Sequence, residues 1–239
     1  MKDFYTDAHV KIASVQKNLS CSEQAKFTQE MSTKGHRYFC IFDTLTALKE
    51  LNAVELGFGY VSFAMALSSL FKEYTAVDVA ASTIMQGFPT VDLTYKDADL
   101  NEDFPFSDNQ FDVVIGMMIL EHLFDPFHSF KEIARICKPN GYLFINLPNI
   151  TSMRCRLDLL MGKMPFTGDK YWFERRMWDS AHLHYFDIKH VKMVAELSGL
   201  TLVNIYPVGR FYGLKKYFPN LLCHEISYVF TKKEHLRKL

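Results

Sequence analysis

No stretch of this chain stays apolar long enough to cross a bilayer. The longest run, Val113 to Leu120, is far shorter than the ~20 residues a spanning helix needs. Neither sign of charge is in excess, with 27 basic and 27 acidic residues, which argues against a nucleic-acid footprint and a polybasic membrane patch. Cysteines at 21, 40, 137, 155 and 223 form no C-x-x-C pair and leave one over. That pattern fits reduced thiols in the cytoplasm better than a disulfide framework. The opening residues, M-K-D-F-Y-T-D-A-H, lack the apolar centre of a secretion signal. Internal repeats and low-complexity tracts are also absent. These absences together predict a soluble cytoplasmic protein with no membrane insertion and no nucleic-acid partner. They leave its oligomeric state open.

What the chain does have is apolar and aromatic mass. Of its 239 residues, 49% are hydrophobic and 15% aromatic, enough for one large core, so one domain with an elaboration is expected. Strand-like and helix-like segments alternate: strands at 53–56, 74–78, 91–95, 111–116 and 142–147, with helices at 62–70, 81–86 and 128–137. Tyr38, Phe42, Leu45 and Leu48 predict a helix leading into the first strand. Lys138-Pro139-Asn140-Gly141 is expected to stop the helix at 128–137. The V-V-I-G-M-M run implies burial on both faces, hence a parallel sheet between helices. Asp187 is a plausible N-cap for a helix that carries Val191, Val194 and Ala195 on one face and ends by Gly199. Strands follow at 201–206 and 225–231. Residues 1–34 read as an N-terminal helical cover and 35–239 as the main domain. The segment 150–186 is too long for an ordinary connection and reads as a lid or substrate-binding insertion.

The most telling stretch is N-A-V-E-L-G-F-G-Y-V at 52–61, with Asp78 nineteen positions after Gly59 at the end of Y-T-A-V-D. A strand that breaks at a glycine turn into a helix brings backbone N–H groups to a ligand, and an acid closing the next strand can accept from both ribose hydroxyls. That reads as a nucleoside-cofactor site. Residues 97–149 add F-P-F-S-D-N-Q-F-D-V-V at 104–114, L-E-H at 120–122 and K-P-N-G-Y at 138–142.

This order of motifs closely resembles the class I S-adenosylmethionine-dependent methyltransferases, in particular the small-molecule group with an L-E-H segment after the fourth strand. The resemblance covers roughly residues 35–205. It implies a Rossmann-like α/β fold: a seven-stranded, mostly parallel sheet, helices on both faces and an antiparallel last strand. One position departs from the family turn E/D-x-G-x-G-x-G, where the third glycine is Val61. The dinucleotide version would need a glycine at Ser62, so neither fingerprint is complete.

By that resemblance the cofactor is S-adenosyl-L-methionine, with Glu55, Gly57 and Gly59 at its methionine end, Asp78 on the ribose and Met117 near the methyl group. For the adenine two registers exist, Asp97-Ala98 or Asp99-Leu100, and the D-L-N-E-x-x-P-F pattern favours Asp99 and Leu100. His122 follows the fourth strand and is the first choice for proton acceptor, with His182 and His184 of H-L-H-Y-F behind it. Helix capping or loop orientation would explain His122 equally well. An H-x-H pair can also bind metal with a third ligand such as His122, but no convincing set of further ligands is visible, and no metal is expected. Arg154, Arg175, Trp178 and Tyr185 are the expected acceptor contacts, since guanidinium groups clamp anions. For any single arginine, solvated helix surface remains the simpler account.

The expected reaction is methyl transfer to an oxygen, less readily a nitrogen, of a small polar acceptor such as a sugar or phosphate-bearing precursor of a surface glycan. Two other readings stay open. One is a non-catalytic relative of the fold, which Val61 keeps alive. The other is a nicotinamide-dependent oxidoreductase sharing the strand, glycine turn and ribose acid.

Overall fold

A computed structural model describes residues 21–168, 174 and 176–233. Its centre is a seven-stranded sheet built from β1 (Asn52–Leu56), β2 (Glu73–Asp78), β3 (Tyr95–Asp97), β4 (Phe111–Met117), β5 (Cys137–Pro148), β6 (Leu200–Pro207) and β7 (Glu225–Lys232). The spatial order is β3-β2-β1-β4-β5-β7-β6. The first five strands pair in parallel, and β7 runs antiparallel to both β5 and β6. The expected sheet is the observed one.

Apart from the exposed edge strand β3, the strands of the parallel half bury both faces. Along β1, Ala53 enters a core with Val61, Ala64 and Leu67, whereas Val54 and Leu56 enter the opposite core with Ile133, Ile145 and Val191. The covering helices are α1 (Cys21–Met31), α2 (Phe39–Thr44), α3 (Val61–Ser68), α4 (Ala81–Gln86), α5 (Pro126–Ile136), α6 (Met153–Leu160) and α7 (Ile188–Leu197). Two short turns of helix, α8 (Tyr212–Lys215) and α9 (Pro219–Leu222), lie between β6 and β7. Helix starts are written in the sequence. The Asp125 carboxylate accepts from the N–H groups of Phe127 and His128, with Pro126 at the first helical position. The Asp187 carboxylate accepts from His190 N–H at 2.8 Å.

Four boundaries differ from expectation, each for a local reason. The third strand is Tyr95–Asp97, not 91–95. Val91 closes a turn on the Phe88 carbonyl and Leu93 packs into the core from a loop, so their apolar character reflects burial rather than pairing. The helix expected from Tyr38 to Leu48 breaks at Leu45, whose backbone is extended, and resumes only as a 3-10 turn at Leu48–Glu50. Helix α5 begins at Pro126 and ends at Ile136, one residue before the predicted stop. Lys138-Pro139-Asn140-Gly141 then forms a bulge inside β5, where pairing jumps from Phe111–Cys137 to Val113–Tyr142 and Asn140 adopts φ 62°. In the expected N-terminal cover, α1 packs Phe27 edge-on against Phe63 of α3 at 5.6 Å. Residues 1–20 of that cover lie outside the described residues.

Candidate active site

The parallel strands present their carboxyl ends together, which is where ligands of open α/β sheets bind. At the end of β1, Gly57 has φ +72°, and its N–H donates to the Val77 carbonyl at 2.7 Å. A Cβ at Gly57 would sit 2.6 Å from Ile119 Cδ1, so backbone conformation and the Ile119 side chain both require glycine here. At Gly59 a Cβ would meet nothing within 4 Å. The two glycines therefore do different work: Gly57 shapes the turn and Gly59 leaves space beside it. Val61, which stands in place of the third glycine, is fully buried in the core beneath α3 and does not narrow that space.

This contrast gives a paired expectation. Gly57→Ala forces a non-glycine residue into the left-handed region and should lower stability by about 1–3 kcal/mol. Gly59→Ala should melt like the parent and lose affinity for S-adenosylhomocysteine. Urea unfolding and calorimetry check both, and a destabilised Gly59→Ala protein would make that glycine structural.

Asp78 ends β2 directly beside the turn and is 1% exposed. Its Oδ1 accepts from Ala80 N–H at 3.1 Å. The two adenine candidates separate in space. Asp97 closes β3, and its carboxylate accepts from the Ser82 N–H and hydroxyl at the start of α4. Asp99 accepts through Oδ1 from the N–H and side-chain amide of Asn101, while Leu100 is buried against Val54, Leu56 and Val77. Met117 ends β4 with little exposure.

Glu55 is placed differently from the glycines. Its side chain lies in the sheet core, where its carboxylate accepts from the Tyr38 hydroxyl at 2.7 Å and from the Tyr74 hydroxyl. Burial pushes its carboxyl up to about 7, partly opposed by those two hydrogen bonds. The folded state thus keeps a proton that the unfolded chain, near its ordinary 4.5, releases first. Stability contributed by Glu55 is therefore fully present below about 4.5 and is lost as pH rises towards 7. Urea titrations across that window should give falling unfolding free energies, and Glu55→Gln should flatten the slope.

Beyond β4 the chain turns sharply. Met118 adopts φ 57°, and the 3-10 turn Leu120–His122 points Glu121 and His122 inward. Glu121 is completely buried and neither of its carboxylate oxygens has a hydrogen-bond partner among the described residues. Burial pushes it up to about 8, the nearby Arg37 working against that shift. The backbone carbonyl of Glu121 accepts from the N–H groups of Leu183 and His184, which pins the late segment to the turn. His122 and His182 meet edge to face with ring centroids 4.9 Å apart. His184 points elsewhere, its Nε2–H donating to the Phe124 carbonyl at 3.1 Å. The structure thus brings together two of the three expected histidines.

The insertion is held by a residue not singled out from the sequence. The buried Asp179 carboxylate accepts from Thr167 N–H and hydroxyl, Gly168 N–H and the Tyr185 hydroxyl. Asp179, Ser180 and Ala181 all have positive φ, a strained turn that aims this acid inward and the Ala181 carbonyl at His122. Trp178 is 63% exposed and meets Phe166 edge-on. Arg154 lies on the outer face of α6 near Asp158, with Nε 4.0 Å from Oδ2. Arg175 lies outside the described residues. Arg37 acts electrostatically on Glu121 and pairs with Glu225 at 2.9 Å. An inward acid and an outward one look alike in sequence, which is why Asp179 carried no signal of its own, whereas Glu121 was marked by its place after the fourth strand.

Strand order and strand-end geometry are those of the Rossmann-like methyltransferase fold. A seventh strand inserted between the fifth and sixth sets it apart from the 3-2-1-4-5-6 order of nicotinamide-binding sheets. Residues 54–145 match the family model described as a methyltransferase domain. A Mycobacterium tuberculosis protein described as a probable S-adenosylmethionine-dependent methyltransferase is 29% identical over 41% of this chain and 36% of its own length. An Aspergillus clavatus polyketide synthase-nonribosomal peptide synthetase is 24% identical over 69% of this chain and 4% of its own. The chain therefore spans a minor part of the curated relatives it matches. Among solved structures, a Mesorhizobium loti S-adenosylmethionine-dependent methyltransferase superposes with TM-score 0.59 at 13% identity, covering 82% of this chain and 97% of that one. No helix among the described residues is long and apolar enough to cross a membrane.

Proposed function

We propose that this protein transfers a methyl group from S-adenosylmethionine to an oxygen of a small polar acceptor, a sugar or phosphate-bearing precursor of a surface glycan. The observation that carries this reading is the meeting, at one end of the sheet, of an open glycine turn, a buried strand-end acid and a buried proton-accepting cluster. The residues fit the cofactor: Gly59 leaves room where a side chain would intrude, and Asp78 sits on the adjoining strand end for the ribose. Gly57 and Gly59 shape the methionine end and Asp99 with Leu100 the adenine end. Met117 lies towards the methyl group.

S-adenosylmethionine supplies a methyl group on a positively charged sulfur, so the protein's task is alignment and exclusion of water. His122 and His182 assist the departure of the acceptor's hydroxyl proton. Among the insertion's described residues, exposed Trp178 and Tyr185 offer flat faces beside polar groups, as a sugar ring requires.

Calorimetric titration with S-adenosylmethionine, S-adenosylhomocysteine and NAD tests the cofactor. Saturable binding of the first two alone is expected, and preference for NAD would end the reading. Methylation confined to amine acceptors, in a screen of sugar phosphates and amines, would remove the oxygen assignment.

A further inference from the structure

Glu121, His122 and His182 can each offer a ligand atom, and these atoms lie within 4.8 Å of one another. From this arrangement we propose that the three residues form a binding site for a divalent transition-metal ion of the zinc type, with a further position open to an oxygen ligand.

The tautomers follow from the partners. His122 Nδ1 faces the Ala181 carbonyl at 3.2 Å, and a carbonyl only accepts, so Nδ1 carries the proton. The Thr167 hydroxyl donates to the Asp179 carboxylate, so its oxygen accepts from His182 Nδ1–H at 2.7 Å. In both rings Nε2 is then the lone-pair nitrogen, the form in which imidazole binds metal. His122 Nε2 lies 4.0 Å from Glu121 Oε1. That carboxylate is wholly buried, and neither oxygen has a hydrogen-bond partner among the described residues, an arrangement costly for an acid unless a cation meets it. Two imidazoles and one carboxylate are a ligand set that zinc accepts while keeping a position free.

The surroundings have the second layer that metal sites use. His182 is backed by Thr167 and Asp179, and His122 by a backbone carbonyl held in a strained turn. His184, bound to the Phe124 carbonyl, is not part of the set. From the sequence the H-x-H pair with His122 gives no convincing ligand set and no metal is expected; in the structure Glu121 stands where the second histidine of that pair does not reach. Ion binding stands on these residues alone. Only the identity of the oxygen ligand, the acceptor's hydroxyl, rests on the proposed methyl transfer.

The test uses the full chain without an affinity tag, stripped with chelator, then titrated with Co²⁺ as an optical probe and with Zn²⁺ in competition. A saturable visible band, abolished by a single equivalent of Zn²⁺, is expected. Glu121→Gln and His182→Asn should abolish the band, and His128→Asn, remote from the cluster, should keep it. Thr167→Val, which removes only the support of His182, should weaken Zn²⁺ binding by about 10–100-fold and keep a displaced band. It also covers the case in which a ligand variant fails to fold. Absence of Co²⁺ uptake by the parent, or parental affinity in Glu121→Gln or Thr167→Val, would overturn the site. Calorimetry with S-adenosylhomocysteine on the stripped protein separates the two readings. Cofactor binding without ion uptake sinks the metal site alone, and ion uptake without cofactor binding sinks the methyl-transfer reading alone.

Discussion

Asp78→Ala is expected to weaken S-adenosylhomocysteine binding by about 30- to 900-fold, more than any other single side-chain change. Two hydroxyl-to-carboxylate hydrogen bonds are lost. Bonds to charged groups are each worth roughly 1.5–3 kcal/mol and overlap in part, so the sum is about 2–4 kcal/mol. The position supports the size of the effect. Asp78 is almost fully buried at a strand end, where water competes weakly for its carboxylate. Because its Oδ1 also accepts from Ala80 N–H, some loss of affinity in the alanine variant would come from the turn into α4. Asp78→Asn separates the two: it keeps an acceptor for Ala80 and loses the charge. Its affinity should fall between parent and alanine, with a melting temperature near the parent's. Calorimetry showing parental affinity in Asp78→Ala would remove the ribose assignment.

The second large effect is on turnover. Replacing His122 or His182 with Asn should slow single-turnover methyl transfer by about 10²–10⁴-fold with little change in S-adenosylhomocysteine affinity. Their rings meet at 4.9 Å beside the buried Glu121, so either can assist loss of the acceptor's proton, as a base or as a ligand of an ion that acidifies the hydroxyl. The parent's rate should fall as pH drops through the imidazole range. His184→Asn should cost less, because that ring is committed to the Phe124 carbonyl on the rim. Parental rates in both inner variants would mean that alignment alone suffices and that no histidine takes the proton.

The architecture was legible because the runs at 53–56, 74–78, 111–116 and 142–147 are short and nearly continuous in apolar residues, as strands buried on both faces are. The third strand was misplaced because Val91 and Leu93 are apolar for packing, not for pairing. In the site, the glycine turn and Asp78 were legible because their spacing is fixed by a strand-turn-helix-strand unit. Distribution of roles within that unit was not. Glu55 shares the motif with Gly57, but alternation along β1 turns its side chain into the core, towards Tyr38 and Tyr74. The joining of His122 with His182 spans sixty positions and depends on the positive-φ turn at Asp179–Ala181, which no local pattern announces. Arg154 illustrates the reverse case, a residue whose chemistry suited the acceptor but whose helix face turns it to solvent near Asp158.

The strand order also dictates the order in which the sheet can be completed during synthesis. Strands β1 to β5 find their parallel partners among segments already made, so the cofactor end of the sheet can assemble early. Edge strand β6 cannot join then, because its neighbour among the described strands is β7, which emerges after it. Until residues 225–232 arrive, β5 presents an open edge from Tyr142 to Pro148 that includes Phe144, Ile145 and Leu147. Such an edge invites pairing with other chains. A ribosome stalled before Glu225 would therefore hold a chain with its glycine turn formed and its sheet unsealed, and that interval is when aggregation and chaperone capture should peak.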